Sequence, residues 1–122
     1  MIEFKRVDHF HICVPAKKLE EAKWFYTEII GLKQIERPDH LFSSEGYWFK
    51  IGDAELHIGV EPKSRRTIRH TALQIADIIS AKKYLIANGV EIVEEPVIPG
   101  RIRFAFIDPF GNRMELLQLD KE

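Results

Sequence analysis

Histidine and carboxylate side chains in this sequence are spaced so that many share one face of a predicted strand. Side chains of a β-strand point alternately to its two faces, so residues two apart lie on the same side. By this rule the polar strand faces carry the following residues: His9, His11, Glu55, His57, His70, Gln74 and Glu115. Neutral imidazole and ionised carboxylate are the ligands that divalent transition metals select. The pattern indicates a metal site made of two pairs, His9 with Glu55 and His70 with Glu115.

Each of these residues also has a simpler interpretation. A single histidine in a strand is more often hydrogen-bonded or exposed than bound to a metal. A carboxylate such as Glu115, inside an otherwise apolar strand, is costly to bury alone, and Arg113 or Arg103 could pair with it. The coincidence of polar faces on four strands favours a metal site. From the residues alone, the two interpretations are about equally supported.

The elements that would position these side chains occur twice in the same order, strand, helix and three strands. In each half a glycine, Gly31 or Gly89, follows the periodic helical stretch and predicts its end. The first half comprises a strand at 7–14, a helix at 19–30 and strands at 32–35, 47–51 and 54–60. The second half comprises a strand at 70–75, a helix from the N-cap Asp77 to Asn88 and strands at 90–93, 101–107 and 113–119.

This repeat predicts an α+β fold in which two tandem βαβββ modules form a curled mixed sheet around a cleft. We place the modules at about 1–61 and 68–122 of a single domain, 1–122, joined by a solvated linker at 61–69. In the repeat, His9 corresponds to His70. Glu55 corresponds to Glu115 if one residue is gapped after the glycine turn that precedes each of them.

Composition excludes several classes of protein. Eighteen basic and nineteen acidic residues in a chain of 122 give a formal net charge of −1. That balance does not support binding to nucleic acid or to a membrane surface through bulk charge. The lone Cys13 excludes an intrachain disulfide. Without a signal peptide or an apolar run of about 20 residues, the sequence predicts a cytoplasmic protein.

Four motifs together resemble the vicinal oxygen chelate superfamily. They are Val7-Asp8-His9, Trp24-Phe25-Tyr26-Thr27-Glu28-Ile29-Ile30-Gly31-Leu32, the strand opened by His70, and Asp108-Pro109-Phe110-Gly111-Asn112-Arg113-Met114-Glu115. That superfamily includes glyoxalase I, fosfomycin-resistance thiol transferases, type I extradiol dioxygenases, methylmalonyl-CoA epimerase and bleomycin-resistance proteins. The resemblance covers essentially the whole chain.

The resemblance implies a cleft with a divalent metal, such as zinc, nickel, manganese or iron, at its floor. His9, His70 and Glu115 fall on the common metal ligands, and Glu55 falls where glyoxalase I has a fourth ligand. The metal would act as a Lewis acid on vicinal oxygens of a small substrate. Glu55 or Glu115 would move a proton between adjacent carbons. We therefore predict a metal-dependent enzyme of glyoxalase type, a lyase or isomerase.

Departures from the family patterns leave alternatives. Ala105 lies near the position where the fosfomycin enzymes usually have a tyrosine, and extradiol dioxygenases are about twice this length. Glyoxalase I is closest in its ligand pattern. The alternative functions are a thiol transferase and a resistance protein that sequesters a small molecule in the cleft. The superfamily often completes its clefts across a twofold axis, so the resemblance also implies a homodimer, and its substrates can include a thiol cosubstrate.

Four further residues are predicted to contact the substrate: His11, Trp48, His57 and Arg103. A guanidinium binds carboxylate or phosphonate through two hydrogen bonds, so Arg103 could hold an anionic substrate. It could equally form a salt bridge with Glu115 or Glu94. Trp48 could line the pocket or fill the core, and strand alternation alone does not decide between these positions.

Overall fold

The computed structural model describes residues 1–62 and 66–120. The chain divides into two compact units, Met1–Ser64 and Arg65–Glu122. Each unit contains one four-stranded mixed sheet and one principal helix, in the order strand, helix and three strands. The predicted α+β class with two βαβββ modules is therefore confirmed. The predicted linker at 61–69 lies partly outside the described residues.

Unit 1 folds around a sheet in which the first and last strands are neighbours. Its strand order is β1-β4-β3-β2, with β1 and β4 parallel and the other pairs antiparallel. The elements are β1 (His9–Val14), α1 (Leu19–Trp24), β2 (Lys33–Ile35), β3 (Gly46–Ile51) and β4 (Ala54–Val60). Beyond its last residue, α1 continues into a wider π-helical turn, Phe25–Ile29. The helix predicted at 19–30 is thus continuous but changes its winding.

Unit 2 repeats this topology with the order β5-β8-β7-β6. Its parallel pair is β5 with β8, and its other pairs are antiparallel. The elements are β5 (His70–Gln74), α2 (Ile78–Ala87), β6 (Glu91–Glu94), β7 (Arg101–Ile107) and β8 (Arg113–Leu119). In both units, the strand that begins with a predicted ligand histidine therefore lies beside the strand that carries a predicted ligand carboxylate.

The strand registers correct one correspondence within the repeat. His9 lies opposite Glu55, whereas His70 lies opposite Arg113. If His9 and His70 are equivalent, then so are Glu55 and Arg113, which lie opposite them. Two residues further along their strands, His57 of β4 is therefore the counterpart of Glu115 of β8. The predicted correspondence of Glu55 with Glu115 is wrong because the two turns differ in length. Residues 52–53 alone join β3 to β4, whereas residues 108–112 join β7 to β8.

Apolar side chains on one face of each sheet form the core of each unit. In unit 1 the large and fully buried side chains are Val14, Tyr26, Phe49, Leu56 and Ile58. In unit 2 the buried side chains include Ile78, Leu85, Phe104, Phe106 and Met114. Because strand side chains alternate, a core on one face directs the intervening polar side chains to the other face.

The helix ends follow from residues that the sequence identifies. Gly31 and Gly89 have φ angles of 87° and 74°, in the left-handed region that favours glycine after a helix. Asp77 precedes α2, and its Oδ1 accepts a hydrogen bond from the amide of Ser80 at 3.0 Å. The predicted N-cap and glycine ends are thus confirmed. Among the described residues, no helix is long and apolar enough to cross a membrane.

The cap at Asp77 leads to a pH-dependent prediction. The amide of Ser80 donates to this carboxylate and lowers the pKa of Asp77 below its ordinary value. A carboxylate whose pKa is lower in the folded state stabilises the fold at pH values above its pKa in the unfolded chain. This contribution is lost as the pH falls through the pKa of the folded state. We expect Asp77→Ala to lower Tm at neutral pH, with a difference from the parent that shrinks below about pH 4.

Thermal unfolding followed by circular dichroism over a pH series measures this effect. Asp77→Asn is the matched control, since the amide oxygen can still accept the hydrogen bond from Ser80. Its Tm at neutral pH should lie between those of the parent and Asp77→Ala, because asparagine keeps the hydrogen bond but not the charge. A deficit for Asp77→Ala that is equal at pH 3 and pH 7 would show that the charge on Asp77 contributes nothing.

Candidate active site

The loop between β7 and β8 sets the start of the strand that carries Glu115. Asp108 is only 3% exposed, and its Oδ1 accepts hydrogen bonds from the amides of Phe110 and Asn112 at 2.9 and 2.8 Å. The main-chain carbonyl of Asp108 accepts from the amide of Gly111 at 3.1 Å. A carboxylate that binds two amides of one loop fixes that loop in one conformation. Glu115 is thereby held at a defined position in β8.

His70 and Glu115 form a close pair in unit 2. Nδ1 of His70 lies 2.8 Å from the carbonyl oxygen of Ile68. A carbonyl oxygen can only accept, so Nδ1 carries the hydrogen, and in the neutral ring the lone pair is on Nε2. Nε2 lies 3.4 Å from Oε1 of Glu115. Two electron-pair donors therefore face each other, an arrangement that a cation between them would stabilise.

Glu115 also belongs to a buried network with two arginines. Nη1 of Arg103 lies 3.0 Å from Oε1 of Glu115 and 3.7 Å from Oε2 of Glu95. Arg113 binds the other oxygen of Glu95 at 2.5 Å. Nε and Nη2 of Arg103 donate to the carbonyl of Pro96 at 3.2 and 2.8 Å. The ion pair with Glu115 is thus present, and Glu95, rather than the expected Glu94, is the second acidic partner of Arg103.

His9 is oriented in unit 1 in the same way as His70 in unit 2. Its Nδ1 lies 2.9 Å from Oδ2 of Asp8. This hydrogen bond lowers the pKa of Asp8 below its ordinary value, so the carboxylate is ionised and accepts from Nδ1–H. In the neutral ring of His9, the lone pair is again on Nε2. Two histidines predicted as ligands therefore present the same nitrogen, each oriented by an acceptor on the other one.

His57, buried on β4, connects the remaining predicted residues of unit 1. Its Nε2 lies 2.9 Å from Oε1 of Glu55, which is its neighbour on the same strand face. The ring of Trp48 stacks on the ring of His57 at a centroid distance of 4.0 Å and an interplanar angle of 2°. The ring of His9 stacks with His57 at 4.0 Å and 16°. Trp48 therefore lies on the polar face with His57, Glu55 and His9.

His11 is separate from this stack. A Cβ atom added to Gly59 would lie 2.7 Å from two ring atoms of His11, so the ring rests directly over the glycine. Burial, followed by the charges of His57 and His9, lowers the pKa of the His11 imidazole. Its Nδ1 lies 3.7 Å from Sγ of Cys13. The described contacts of His11 are therefore with neighbouring strand residues.

The donor atoms fit a divalent metal in chemistry and in local spacing. Two ligands of a tetrahedral ion with bonds of about 2.1 Å lie about 3.4 Å apart. The 3.4 Å between Nε2 of His70 and Oε1 of Glu115 agrees with that spacing. Within residues 1–62 and 66–120, no group of three or more His, Cys, Asp or Glu side chains is placed to hold a metal ion. Unit 2 by itself thus brings together one imidazole and one carboxylate.

Comparison with known proteins identifies the family. A sequence model of the Glyoxalase/Bleomycin resistance protein/Dioxygenase superfamily matches residues 6–116. This chain belongs to that superfamily. The match includes the strands that carry His9, Glu55, His70 and Glu115, so the resemblance to vicinal oxygen chelate proteins is confirmed.

Individual members of the superfamily support the assignment. A Bacillus anthracis protein of the glyoxalase family is 37% identical, with a TM-score of 0.88, and the match covers 98% of this chain and 99% of that one. Glyoxylase I 4 of Arabidopsis thaliana is 25% identical over 90% of this chain and 70% of its own length. A Glu-to-Gln mutant of the fosfomycin resistance protein FosX of Listeria monocytogenes, solved with Mn(II) and 1S,2S-dihydroxypropylphosphonic acid, is 24% identical with a TM-score of 0.79. That match covers 98% of this chain and 95% of FosX, and it shows the shared fold.

The groups that orient His9 and His70 were not predicted from the sequence. Asp8 binds His9, and the carbonyl of Ile68 binds His70. Asp8 could have been recognised because a carboxylate immediately before a predicted ligand histidine can orient it. The contact between His70 and the carbonyl of Ile68 could not be predicted, since every residue has a main-chain carbonyl. Glu95 was missed because it lies in a loop rather than on a predicted strand face.

Proposed function

We propose that this protein is a metal-dependent enzyme of glyoxalase type that isomerises a small substrate with oxygens on adjacent carbons. His9, His70 and Glu115 are the proposed ligands of a divalent ion. When bound, such an ion supplies Lewis-acid polarisation of the substrate oxygens. The other steps depend on groups of the chain that orient the ligands and move a proton.

The observation that carries this proposal is the pair formed by Nε2 of His70 and Oε1 of Glu115. The carbonyl of Ile68 holds the hydrogen of His70 on Nδ1, so the lone pair of Nε2 points toward a carboxylate 3.4 Å away. This distance is longer than a good N–H···O hydrogen bond and suits two ligands of one metal ion. The matching orientation of His9 by Asp8 supports its assignment as a further ligand.

We assign proton transfer to Glu55. Its side chain is 32% exposed, so a substrate can reach it, and one carboxylate oxygen is held by Nε2 of His57 at 2.9 Å. We propose it as proton acceptor rather than fourth ligand, because His57 is the counterpart of Glu115 in the strand registers. Glu55 takes a proton from one carbon and returns it to the adjacent carbon. This isomerisation leaves the substrate's composition unchanged and needs no oxidant.

The proposed substrate is an adduct of an α-ketoaldehyde with a thiol cosubstrate, and the proposed assembly is a homodimer. Turnover assays with three reagent sets test the reaction class: methylglyoxal with thiols, fosfomycin with thiols, and catechols. We expect turnover of methylglyoxal with a thiol. Turnover of fosfomycin alone among the three would overturn the isomerase assignment in favour of a thiol transferase.

Alanine substitutions test the proposed ligands. We expect His9→Ala, His70→Ala and Glu115→Ala each to weaken metal binding by more than about 100-fold, beyond the 10–100-fold typical of residues that only orient ligands. His40→Ala is the control, because His40 lies in the short turn Asp39–Leu41 outside the strands. Elemental analysis of protein purified without chelator, followed by competition with a chromogenic chelator, measures the effect. Parent-like affinity in all three variants would contradict the assignment.

A further inference from the structure

Three rings of unit 1 form a continuous stack that ends on His9. Trp48 covers one face of His57 at a centroid distance of 4.0 Å, and His9 lies against His57 at the same distance. Phe42 meets Trp48 edge to face at 6.0 Å and extends the aromatic contact beyond it. His57 is only 8% exposed, whereas the side chain of His9 is 45% exposed. The stack therefore leads from a buried ring to an accessible one.

Two constraints hold the central ring in place. Trp48 lies directly opposite His57 in the pairing of β3 with β4, so the backbone register sets the ring contact. The hydrogen bond from Nε2 of His57 to Glu55 at 2.9 Å prevents rotation of the imidazole within its plane. A ring with a fixed plane and a fixed rotation is a rigid surface for the ring stacked on it.

The stack argues against His57 as a second imidazole ligand beside His9. A metal ion lies close to the plane of each imidazole that binds it, along the lone pair of the nitrogen. The rings of His9 and His57 are 4.0 Å apart and inclined by only 16°. An ion in the plane of one ring therefore lies well outside the plane of the other. Although His57 is the counterpart of Glu115, its ring cannot share an ion with His9 in this arrangement.

We propose that His57 is a positioning residue, which sets the ring plane of His9 by stacking while Asp8 sets its tautomer. This inference rests on the proposed function of His9 as a metal ligand. Trp48 and Glu55 act through His57, the first by covering its outer face and the second by binding its Nε2. Because His9 is already oriented before the metal binds, less conformational entropy of its side chain is lost on binding. His57 can therefore raise metal affinity without a bond to the metal.

Two substitutions of His57 separate a positioning role from a ligand role. His57→Phe keeps a planar ring between Trp48 and His9 but has no nitrogen to bind a metal. His57→Ala removes the ring altogether. We expect Zn²⁺ affinity, measured by competition with a chromogenic chelator, to fall about 10–100-fold in His57→Ala and to stay within about threefold of the parent in His57→Phe. Circular dichroism of each variant checks that the fold is intact.

Proton NMR of the metal-free protein gives a second readout that does not require the proposed function. A stacked aromatic ring shifts the ring protons of its neighbour upfield. We expect the His9 ring protons to move downfield in His57→Ala and to return toward their parent positions in His57→Phe. An unchanged His9 spectrum in His57→Ala would overturn the inference, whatever the metal affinity.

The outcomes distinguish failure of this inference from failure of the proposed function. Equal loss of Zn²⁺ affinity in His57→Phe and His57→Ala would overturn the positioning role and indicate that His57 is itself a ligand. Parent-like affinity in both variants, with loss in His9→Ala, would overturn the inference and leave the proposed ligand standing. Parent-like affinity in His9→Ala would overturn the proposed ligand, and the positioning role with it.

Discussion

Replacement of Glu55 by glutamine is expected to slow proton transfer by about 10²–10⁴-fold, the range for loss of a positioned general base. The amide has nearly the same volume as the carboxylate, and its oxygen can still accept a hydrogen bond from His57. It cannot take a proton from carbon. Metal content and fold should therefore be retained in Glu55→Gln. Exchange of the carbon-bound substrate hydrogen with solvent deuterium, followed by proton NMR, measures the proton transfer directly.

The control for this substitution is Glu28→Gln, which makes the same chemical change at an exposed position of the π-helical turn after α1. It should exchange substrate hydrogen at the parent rate. Parent-like exchange in Glu55→Gln would assign the proton transfer to another group. Loss of metal together with activity in Glu55→Gln would instead indicate that Glu55 is a ligand, as in the four-ligand pattern of glyoxalase I.

Removal of Arg103 is expected to lower the free energy of unfolding of the metal-free protein by about 3 kcal/mol, because it leaves a buried carboxylate without its cation. The side chains of Glu115 and Glu95 are 7% and 10% exposed, and Arg103 contacts both. After Arg103→Met, Glu95 would keep its ion pair with Arg113, whereas Glu115 would lose its guanidinium partner. If Glu115 is a metal ligand, saturating Zn²⁺ should restore part of this loss, since the ion stabilises the folded state to which it binds.

The same strand offers a matched control for this prediction. Arg101 precedes Arg103 by two residues on β7 and is exposed. Substitution of an exposed residue away from buried networks usually changes stability by less than about 0.5 kcal/mol. Urea unfolding of Arg101→Met and Arg103→Met compares the two positions directly. Equal stability of the two variants would show that the buried ion pair contributes little, and would make a role of Arg103 in binding anionic substrates the better explanation.

Much of the fold could be predicted because each half of the sequence has local signals that agree with its tertiary structure. The alternation in β1, β4, β5 and β8 separates apolar from polar faces, and the boundaries of β4, β7 and β8 match the predicted ones. Gly31, Gly89 and Asp77 mark helix ends through conformational preferences that act within a few residues. Such signals do not depend on how distant segments meet.

Register and ring contacts could not be predicted, because they depend on pairing between distant strands. The repeat was aligned on the glycines of its two turns, but the turn at 108–112 is longer than the turn at 52–53. His57, rather than Glu55, is consequently the counterpart of Glu115. The stacking of His57 between Trp48 and His9 also depends on that register. The spacing of residues along a single strand does not predict it.

The proposed function depends on a metal ion that binds at Nε2 of His70 and Oε1 of Glu115. Anomalous diffraction from crystals grown with Zn²⁺, recorded at the zinc absorption edge, tests it most directly. We expect one peak per chain about 2.0–2.2 Å from both atoms, with Nδ1 of His70 still bound to the carbonyl of Ile68. Absence of a peak at these atoms, in crystals where Zn²⁺ binds elsewhere on the chain, would contradict it.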